Sequence, residues 1–276
     1  MSKPDHFLLL RTLFWLLIST TSALADEIKL ADAHIHYSHD AWNYLPPEQA
    51  VDVLRQAGLR YAFVSSSSDE GTQKLYDLAP ELVVPVLRPY RKRGELGSWM
   101  HDESVPGMLE ALLERNWYAG IGEFHAFNTD IELPVLQQVI ALAKRYGIFL
   151  HAHSDADAVE RIFRSDPEAL VLWAHSGFDS PAEIAAMLEK YPNLWADLAF
   201  RYEHATDDAV NPEWRALFEQ FPDRFMLGTD TYTPERWYFV IEHADDARAW
   251  LSTLPQTVAE SIAYRNAESL LKRVKR

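Results

Sequence analysis

Histidines and acidic residues in this sequence fall in short groups that follow apolar runs. The first group, ADAHIHY at residues 31–37, carries His34 and His36 two positions apart. Four later segments, GIGEFH, FLHAHSD, LWAHSG and MLGTDTY, supply Glu123 with His125, His151 with His153, His175, and Asp230. Taken singly, each group also fits a buried core histidine, a salt-bridged acid or a loop cap. Five groups in series predict a site for divalent cations, which imidazole and carboxylate ligands bind together.

The chemistry of such a site is hydrolytic. A bound divalent cation lowers the pKa of its water from about 15.7 toward about 7, which gives a nucleophile at neutral pH. A neighbouring carboxylate takes the proton of that water and later protonates a leaving group, and Asp230 is predicted in this role. Glu123, between the two histidine groups, is a candidate to bridge two cations about 3.5–4 Å apart. The chain has no cysteine, which excludes thiolate ligands, cysteine nucleophiles and disulfides.

Eight short apolar runs rich in Val, Leu, Ile and aromatic residues are spread along the chain, and five of them precede or contain these groups. Continuous runs of this kind are typical of parallel strands buried on both faces. The predicted strands are Ile28–His34, Leu59–Ser65, Leu82–Leu87, Tyr118–Phe124, Gly147–His153, Ala169–His175, Leu194–Phe200 and Arg224–Asp230.

Helical patterns separate the predicted strands. SPAEIAAMLEKYP opens on a capping box of Ser180 and Glu183 with Pro181 between them, and LPVLQQVIALAKRYG ends on Gly147. The stretch from Pro234 to Arg273 predicts two or three helices. Eight strand-then-helix units predict an α/β fold, the (β/α)8 TIM barrel, in which catalytic side chains sit at the carboxyl ends of the strands. An open doubly wound sheet is the alternative, but the glycine-rich first turn typical of that fold is missing.

The first 25 residues predict a signal peptide. Lys3 and Arg11 precede an apolar stretch too short to span a bilayer, and Ala23-Leu24-Ala25 forms a cleavage signal. We therefore expect cleavage after Ala25, a periplasmic or secreted protein with no stable membrane span, and one barrel domain over residues 26–276. The whole chain has a formal net charge of −15, and loss of the leader brings it near −16. Such a charge disfavours nucleic acid as a partner. The oligomeric state stays open.

The motifs DAHIH, GIGE, FLHAH, WAHSG, NLWADL and MLGTD, in this order, resemble the amidohydrolase superfamily, including its amidohydrolase-related and TatD-like branches. The resemblance runs from Ile28 to Leu271. It implies metal ligands at His34, His36, Glu123, His151, His175 and Asp230. In a one-metal branch His34, His36, His151 and Asp230 bind the ion and His175 orients the water, whereas in TatD-type enzymes Glu123 matches a bridging carboxylate. The cofactor is then one or two divalent ions, Zn²⁺ or alternatively Mn²⁺. The full set of six favours two.

The predicted substrate is a small amide, ester or lactone, with an anionic group if basic residues near the strand ends meet it. Arg88, Arg201 and His153 are the candidates for contact with substrate. A TatD-like deoxyribonuclease is an alternative, against which stand the acidic surface and His153, since TatD-type enzymes commonly have arginine there. A decarboxylase on the same scaffold and a non-catalytic barrel that binds a ligand are further alternatives.

Overall fold

A computed structural model of the chain describes residues 28–275. Eight parallel strands form its centre in the order β1-β2-β3-β4-β5-β6-β7-β10. The barrel closes where the end of β10 meets β1: the amide of Ala33 donates to the carbonyl of Leu227 at 2.8 Å. The predicted (β/α)8 barrel is confirmed.

The strands that build the barrel are short and almost wholly buried, as strands covered on both faces must be. Their bounds are β1 Leu30–Ile35, β2 Leu59–Val64, β3 Val83–Leu87, β4 Gly120–His125, β5 Phe149–His153, β6 Val171–Trp173, β7 Leu194–Asp197 and β10 Phe225–Met226. A small antiparallel hairpin, β8 Ala205–Thr206 and β9 Ala209–Val210, lies outside the barrel sheet and was not predicted.

Helices cover the barrel and keep the order that the sequence indicates. They are α1 Pro47–Gln56, α2 Asp69–Leu78, α3 Val105–Leu113, α4 Pro134–Tyr146, α5 Ala156–Ser165, α6 Pro181–Lys190, α7 Pro212–Gln220, α8 Val240–Leu251, α9 Gln256–Glu260 and α10 Asn266–Arg273. The predicted capping box is present, since Ser180 accepts from the Glu183 amide and the Glu183 carboxylate accepts from the Ser180 amide. Gly147 ends α4 in the left-handed conformation, at φ +65°.

Four strands end earlier than predicted. β2 ends at Val64 and β7 at Asp197, short of the predicted Ser65 and Phe200. The other two predicted strands reached His175 and Asp230, but β6 ends at Trp173 and β10 at Met226, and there the reason lies in the backbone of the site. His175 has φ +55° and Asp230 has φ +50°, values that no strand residue adopts. Such conformations cost about 1–3 kcal/mol and cluster at functional sites. Here hydrogen bonds fix them: the His175 amide donates to Asp197 at 3.0 Å and the Asp230 amide donates to the His34 carbonyl at 2.7 Å.

The predicted signal peptide, residues 1–25, lies outside the described residues, so its cleavage and the export of the chain stay predictions. Across residues 28–275, no helix combines the length and the apolar character needed to cross a bilayer.

Candidate metal centre

Three buried side chains, which come from the end of β1 and from the loop after β10, meet at the carboxyl end of the barrel. His34 lies on β1 and His36 directly follows it, so their side chains share one face of the chain. Asp230 reaches the same point from the loop after β10. Its Oδ1 lies 3.8 Å from His34 Nε2 and 3.3 Å from His36 Nε2. The sequence prediction that these three residues converge is met by the geometry.

The hydrogen bonds of three histidines favour one tautomer of the neutral ring. Each Nδ1 lies within hydrogen-bond distance of a carbonyl or carboxylate oxygen, and His36 Nδ1 also lies 3.0 Å from Ser65 Oγ. With the proton on Nδ1, the neutral ring presents a lone pair at Nε2. The acceptors are the Asp197 carboxylate for His34 at 3.1 Å, the Ser65 carbonyl for His36 at 2.8 Å and the Ala199 carbonyl for His175 at 3.0 Å. Three lone pairs therefore point toward the carboxylates of Glu123 and Asp230.

A cation held between them would satisfy lone pairs that face carboxylates. His34 Nε2, His36 Nε2 and Asp230 Oδ1 are buried and have no hydrogen-bond partner within residues 28–275. Burial without a partner costs free energy, and here one ion would relieve all three atoms. Ligand atoms 2.0–2.1 Å from a tetrahedral Zn²⁺ lie about 3.3 Å from one another. The separations of 3.3 Å and 3.8 Å around Asp230 fit that geometry, so the residues present suit a divalent ion.

Glu123 on β4 lies on the opposite side of the two histidines. Its Oε2 is 3.2 Å from His36 Nε2, and its Oε1 is 3.5 Å from His34 Nε2 and 3.6 Å from His175 Nε2. The same carboxylate already has two partners, Arg88 Nη2 at 2.7 Å and His153 Nδ1 at 2.7 Å. Glu123 thus lies within reach of an ion, but both of its oxygens are also held by neighbouring side chains.

Asp197, at the end of β7, connects three of the histidines and is a residue that sequence reasoning missed. Its Oδ2 accepts from His34 Nδ1 and lies 3.0 Å from His151 Nε2, and its Oδ1 accepts from the His175 amide. The side chain is fully buried. The available signal was the motif NLWADL, in which Asp197 follows an apolar run just as the recognised acids do. Because its Nε2 faces Asp197, His151 adjoins the His34 ring without presenting that nitrogen to Asp230.

The charges of the site favour ionised carboxylates. Burial alone would raise the pKa of Asp230, but the imidazoles of His34 and His36 outweigh burial and lower it to about 2. Burial likewise opposes ionisation of Glu123 and Asp197, and the neighbouring histidines hold both pKa values well below the usual range. Conversely, the surrounding carboxylates raise the pKa of His34 despite burial, so a proton and a metal ion compete for its Nε2, and binding of the ion would release that proton. The site is therefore rich in negative charge, which a cation would balance.

A cavity of about 390 Å³ opens above this cluster. His175, Glu123 and Asp230 form part of its floor, and the candidate substrate contacts Arg88 and His153 line it. Side chains from the loops after most of the strands complete its walls, as in the mouth of a barrel enzyme. The remaining lining residues are Ser38, Ser67, Arg93, Leu96, His125, Phe178, Phe200 and Tyr232.

The third candidate substrate contact, Arg201, does not line this cavity. Its guanidinium donates to the backbone carbonyls of His175, Ser176 and Asp179 and pairs with Glu203. Arg201 therefore braces the backbone that follows β6, and each of its three nitrogens has a partner within the protein.

A family model described as Amidohydrolase matches residues 96–273, which is more than half of the 276 residues. This chain belongs to the amidohydrolase family. The matched range includes Glu123, His151, His175 and Asp230, while His34 and His36 precede it. The chain is thus an enzyme of the amidohydrolase superfamily, with the fold of its metal-dependent hydrolases and a buried cluster of His, Asp and Glu suited to a divalent ion. No curated protein matches the chain at a significant level.

Solved structures share the amidohydrolase barrel at low sequence identity. A putative 2-pyrone-4,6-dicarboxylic acid hydrolase from Pseudomonas putida is 15% identical, with 90% of this chain and 99% of that chain covered and a TM-score of 0.58. An uncharacterised TIM-barrel protein from Bordetella bronchiseptica is 18% identical over 82% of each chain, with a TM-score of 0.56. A TatD family hydrolase from Entamoeba histolytica is 13% identical, covering 88% and 99%, with a TM-score of 0.52. These likenesses show the fold alone.

Proposed function

We propose that this protein is an exported metal-dependent hydrolase that acts on a small amide, ester or lactone carrying an anionic group. The supporting observation is the set of buried, unpartnered atoms at His34, His36 and Asp230, which face one another beneath a cavity of about 390 Å³. The export rests on the leader pattern of residues 1–25, and the first residue of the mature protein tests it, Asp26 being expected.

In this proposal His34, His36 and Asp230 hold the ion, and Glu123 and His175 adjoin it. When bound, Zn²⁺ or Mn²⁺ would acidify a water molecule and polarise the carbonyl of the substrate. His151, predicted as a ligand, is instead proposed to hold Asp197 in place, because its Nε2 lies 3.0 Å from that carboxylate. One ion satisfies the unpartnered atoms, and Glu123 is the residue through which a second would be shared.

The side chains of the chain then move the protons of hydrolysis. Asp230 accepts a proton as the water oxygen bonds to the carbonyl carbon of the substrate, and it returns that proton to the leaving nitrogen or oxygen as the bond to carbon breaks. His175, whose Nε2 is 3.9 Å from Asp230 Oδ2, directs the water toward the carbonyl. Arg88 and His153 fix the carboxylate of Glu123 from the sides and face the substrate.

A panel of small amides, esters and lactones tests the proposal. We expect turnover by protein loaded with Zn²⁺ or Mn²⁺, loss of at least about 10³-fold after chelation, and recovery when metal is restored. Elemental analysis of the purified protein separates one ion from two. Circular dichroism before and after chelation is the control for folding. Turnover that survives complete removal of metal would refute the proposed function.

A further inference from the structure

The walls of the cavity above the candidate metal centre divide into a polar half and an aromatic half. Loops that follow β1, β2 and β3 supply Ser38, Ser67, Arg88 and Arg93, together with one apolar side chain, Leu96. Loops that follow β6, β7 and β10 supply Phe178, Phe200 and Tyr232. Because the strands follow one another around the ring, these two groups of loops form two separate arcs of the barrel mouth, which adjoin where β10 meets β1. The cavity therefore offers hydrogen-bond donors and positive charge on one side and ring faces on the other.

Arg88 keeps a donor for a ligand after its protein partners are counted. Its Nε donates to the Glu123 carbonyl and its Nη2 to the Glu123 carboxylate. The remaining nitrogen, Nη1, carries two N–H groups, and its single contact is with His36 Nδ1 at 3.3 Å. At least one N–H of Nη1 therefore has no acceptor among residues 28–275. An arginine that is 7% exposed, at the wall of a cavity, with a free N–H group is suited to an anion.

Arg93 adds a second guanidinium to the same wall. It pairs with Asp40 through Nη1, its side chain is 43% exposed, and it lines the cavity. Arg91, two positions earlier, also has a side chain that is 43% exposed, but it pairs with Glu95 and Asp102 and does not line the cavity. The two arginines form a matched pair of which one faces the candidate site.

The aromatic half presents ring surface to solvent at the mouth of the cavity. Phe178 stacks on the His175 ring at 4.7 Å with an interplanar angle of 16°, and it is 56% exposed. Tyr232 is 48% exposed and packs against Phe200 at 5.9 Å. Large exposed rings grouped beside a cavity are typical of a surface that binds a flat apolar ligand.

We propose that the substrate carries a carboxylate at one end and an aromatic ring or similar flat apolar group at the other. The carboxylate binds Arg88 and Arg93, the ring packs on Phe178 and Tyr232, and the bond to be hydrolysed lies between them, above His175 and Asp230. A cavity of about 390 Å³ limits the ligand to a small molecule. This inference rests on the proposed function, since it names the substrate class of the same site.

Binding to metal-loaded protein, measured by calorimetry, tests the substrate class without turnover. The probes are phenylacetate, its neutral analogue phenylacetamide, and acetate, which has the charge without the ring. We expect phenylacetate to bind about 10-fold or more tightly than either of the other probes. Arg93→Gln should weaken phenylacetate about 5- to 10-fold and leave phenylacetamide unchanged, because it removes a charge-assisted contact. Tyr232→Ala should weaken both ring-bearing probes and spare acetate.

Two substitutions serve as matched controls. Arg91→Gln removes an equally exposed arginine outside the cavity, and Tyr238→Ala removes a tyrosine that is 74% exposed and does not line it. Both should leave all three affinities unchanged. If acetate binds as tightly as phenylacetate, or if Arg93→Gln matches Arg91→Gln, the substrate class is wrong. Hydrolysis of neutral members of the panel alone would leave metal-dependent hydrolysis standing, but it would refute the anionic group and with it this inference. Selective phenylacetate binding without hydrolysis of any member of the panel would support the two-sided cavity as a binding site and refute the proposed hydrolase.

Discussion

Asp230→Asn should lower kcat/KM by about 10³- to 10⁴-fold while the protein stays folded. The substitution keeps the shape of the side chain but removes its negative charge and its capacity to accept a proton, and a positioned acid–base group contributes about 10²- to 10⁴-fold. It also removes one of the three groups proposed to hold the ion, the one whose Oδ1 lies 3.3 Å from His36 Nε2. Steady-state kinetics on the best substrate of the panel measure the loss.

Folding and a surface acid provide the controls for this experiment. Far-UV circular dichroism and thermal unfolding should show a folded variant, because the backbone hydrogen bond from the Asp230 amide to the His34 carbonyl remains. Asp223→Asn removes an acid whose side chain is 72% exposed, and it should leave kcat/KM unchanged. A loss of less than about 10-fold for Asp230→Asn would exclude this residue as the proton acceptor.

The part of the site that was predictable from sequence is the part that strand order determines. Carboxyl ends of parallel strands meet at one end of a barrel, so residues placed there by strand prediction must be neighbours whatever their separation in sequence. His34, His36, Glu123, His175 and Asp230 satisfy that condition, and the structure brings them together. To predict their approximate positions, it was enough to recognise the eight apolar runs and the residues at the end of each run.

The direction in which a side chain points could not be predicted from the sequence. Arg201 follows β7 closely enough to be a candidate, yet its donors turn to the carbonyls after β6. His151 belongs to the predicted strand end, but its Nε2 faces Asp197. Asp197 itself was missed because an acid at a strand end has many roles, and its own role depends on which neighbours β1 and β5 present to it. These choices are decided by packing and by hydrogen bonds, which strand spacing does not specify.

The arrangement around Asp197 indicates how the histidines keep their orientation before an ion binds. A carboxylate that accepts from Nδ1 of a ligating histidine fixes its tautomer and ring angle and makes its Nε2 a stronger donor to metal. Asp197 does this for His34 and at the same time holds His151 and the backbone of His175. One buried acid therefore positions groups that arrive from β1, β5 and the turn after β6. Loss of that acid should therefore affect metal affinity more than the stability of the fold.

Asp197→Asn should consequently lower metal affinity by about 10- to 100-fold, with activity that returns as metal is added in excess. The amide keeps the volume of the side chain but has only one acceptor oxygen, whereas the carboxylate uses Oδ2 for His34 and His151 and Oδ1 for the His175 amide. Asp166→Asn is the matched control, since Asp166 is also buried and binds Lys144 at 2.9 Å far from the cluster. Both variants should lose about 1–3 kcal/mol of unfolding free energy, as removal of a buried hydrogen-bonded group does. Titration of metal into each apoprotein then separates the two roles: weakened binding is expected for Asp197→Asn alone. Equal metal affinity in the two variants would show that Asp197 only stabilises the barrel and does not position the metal ligands.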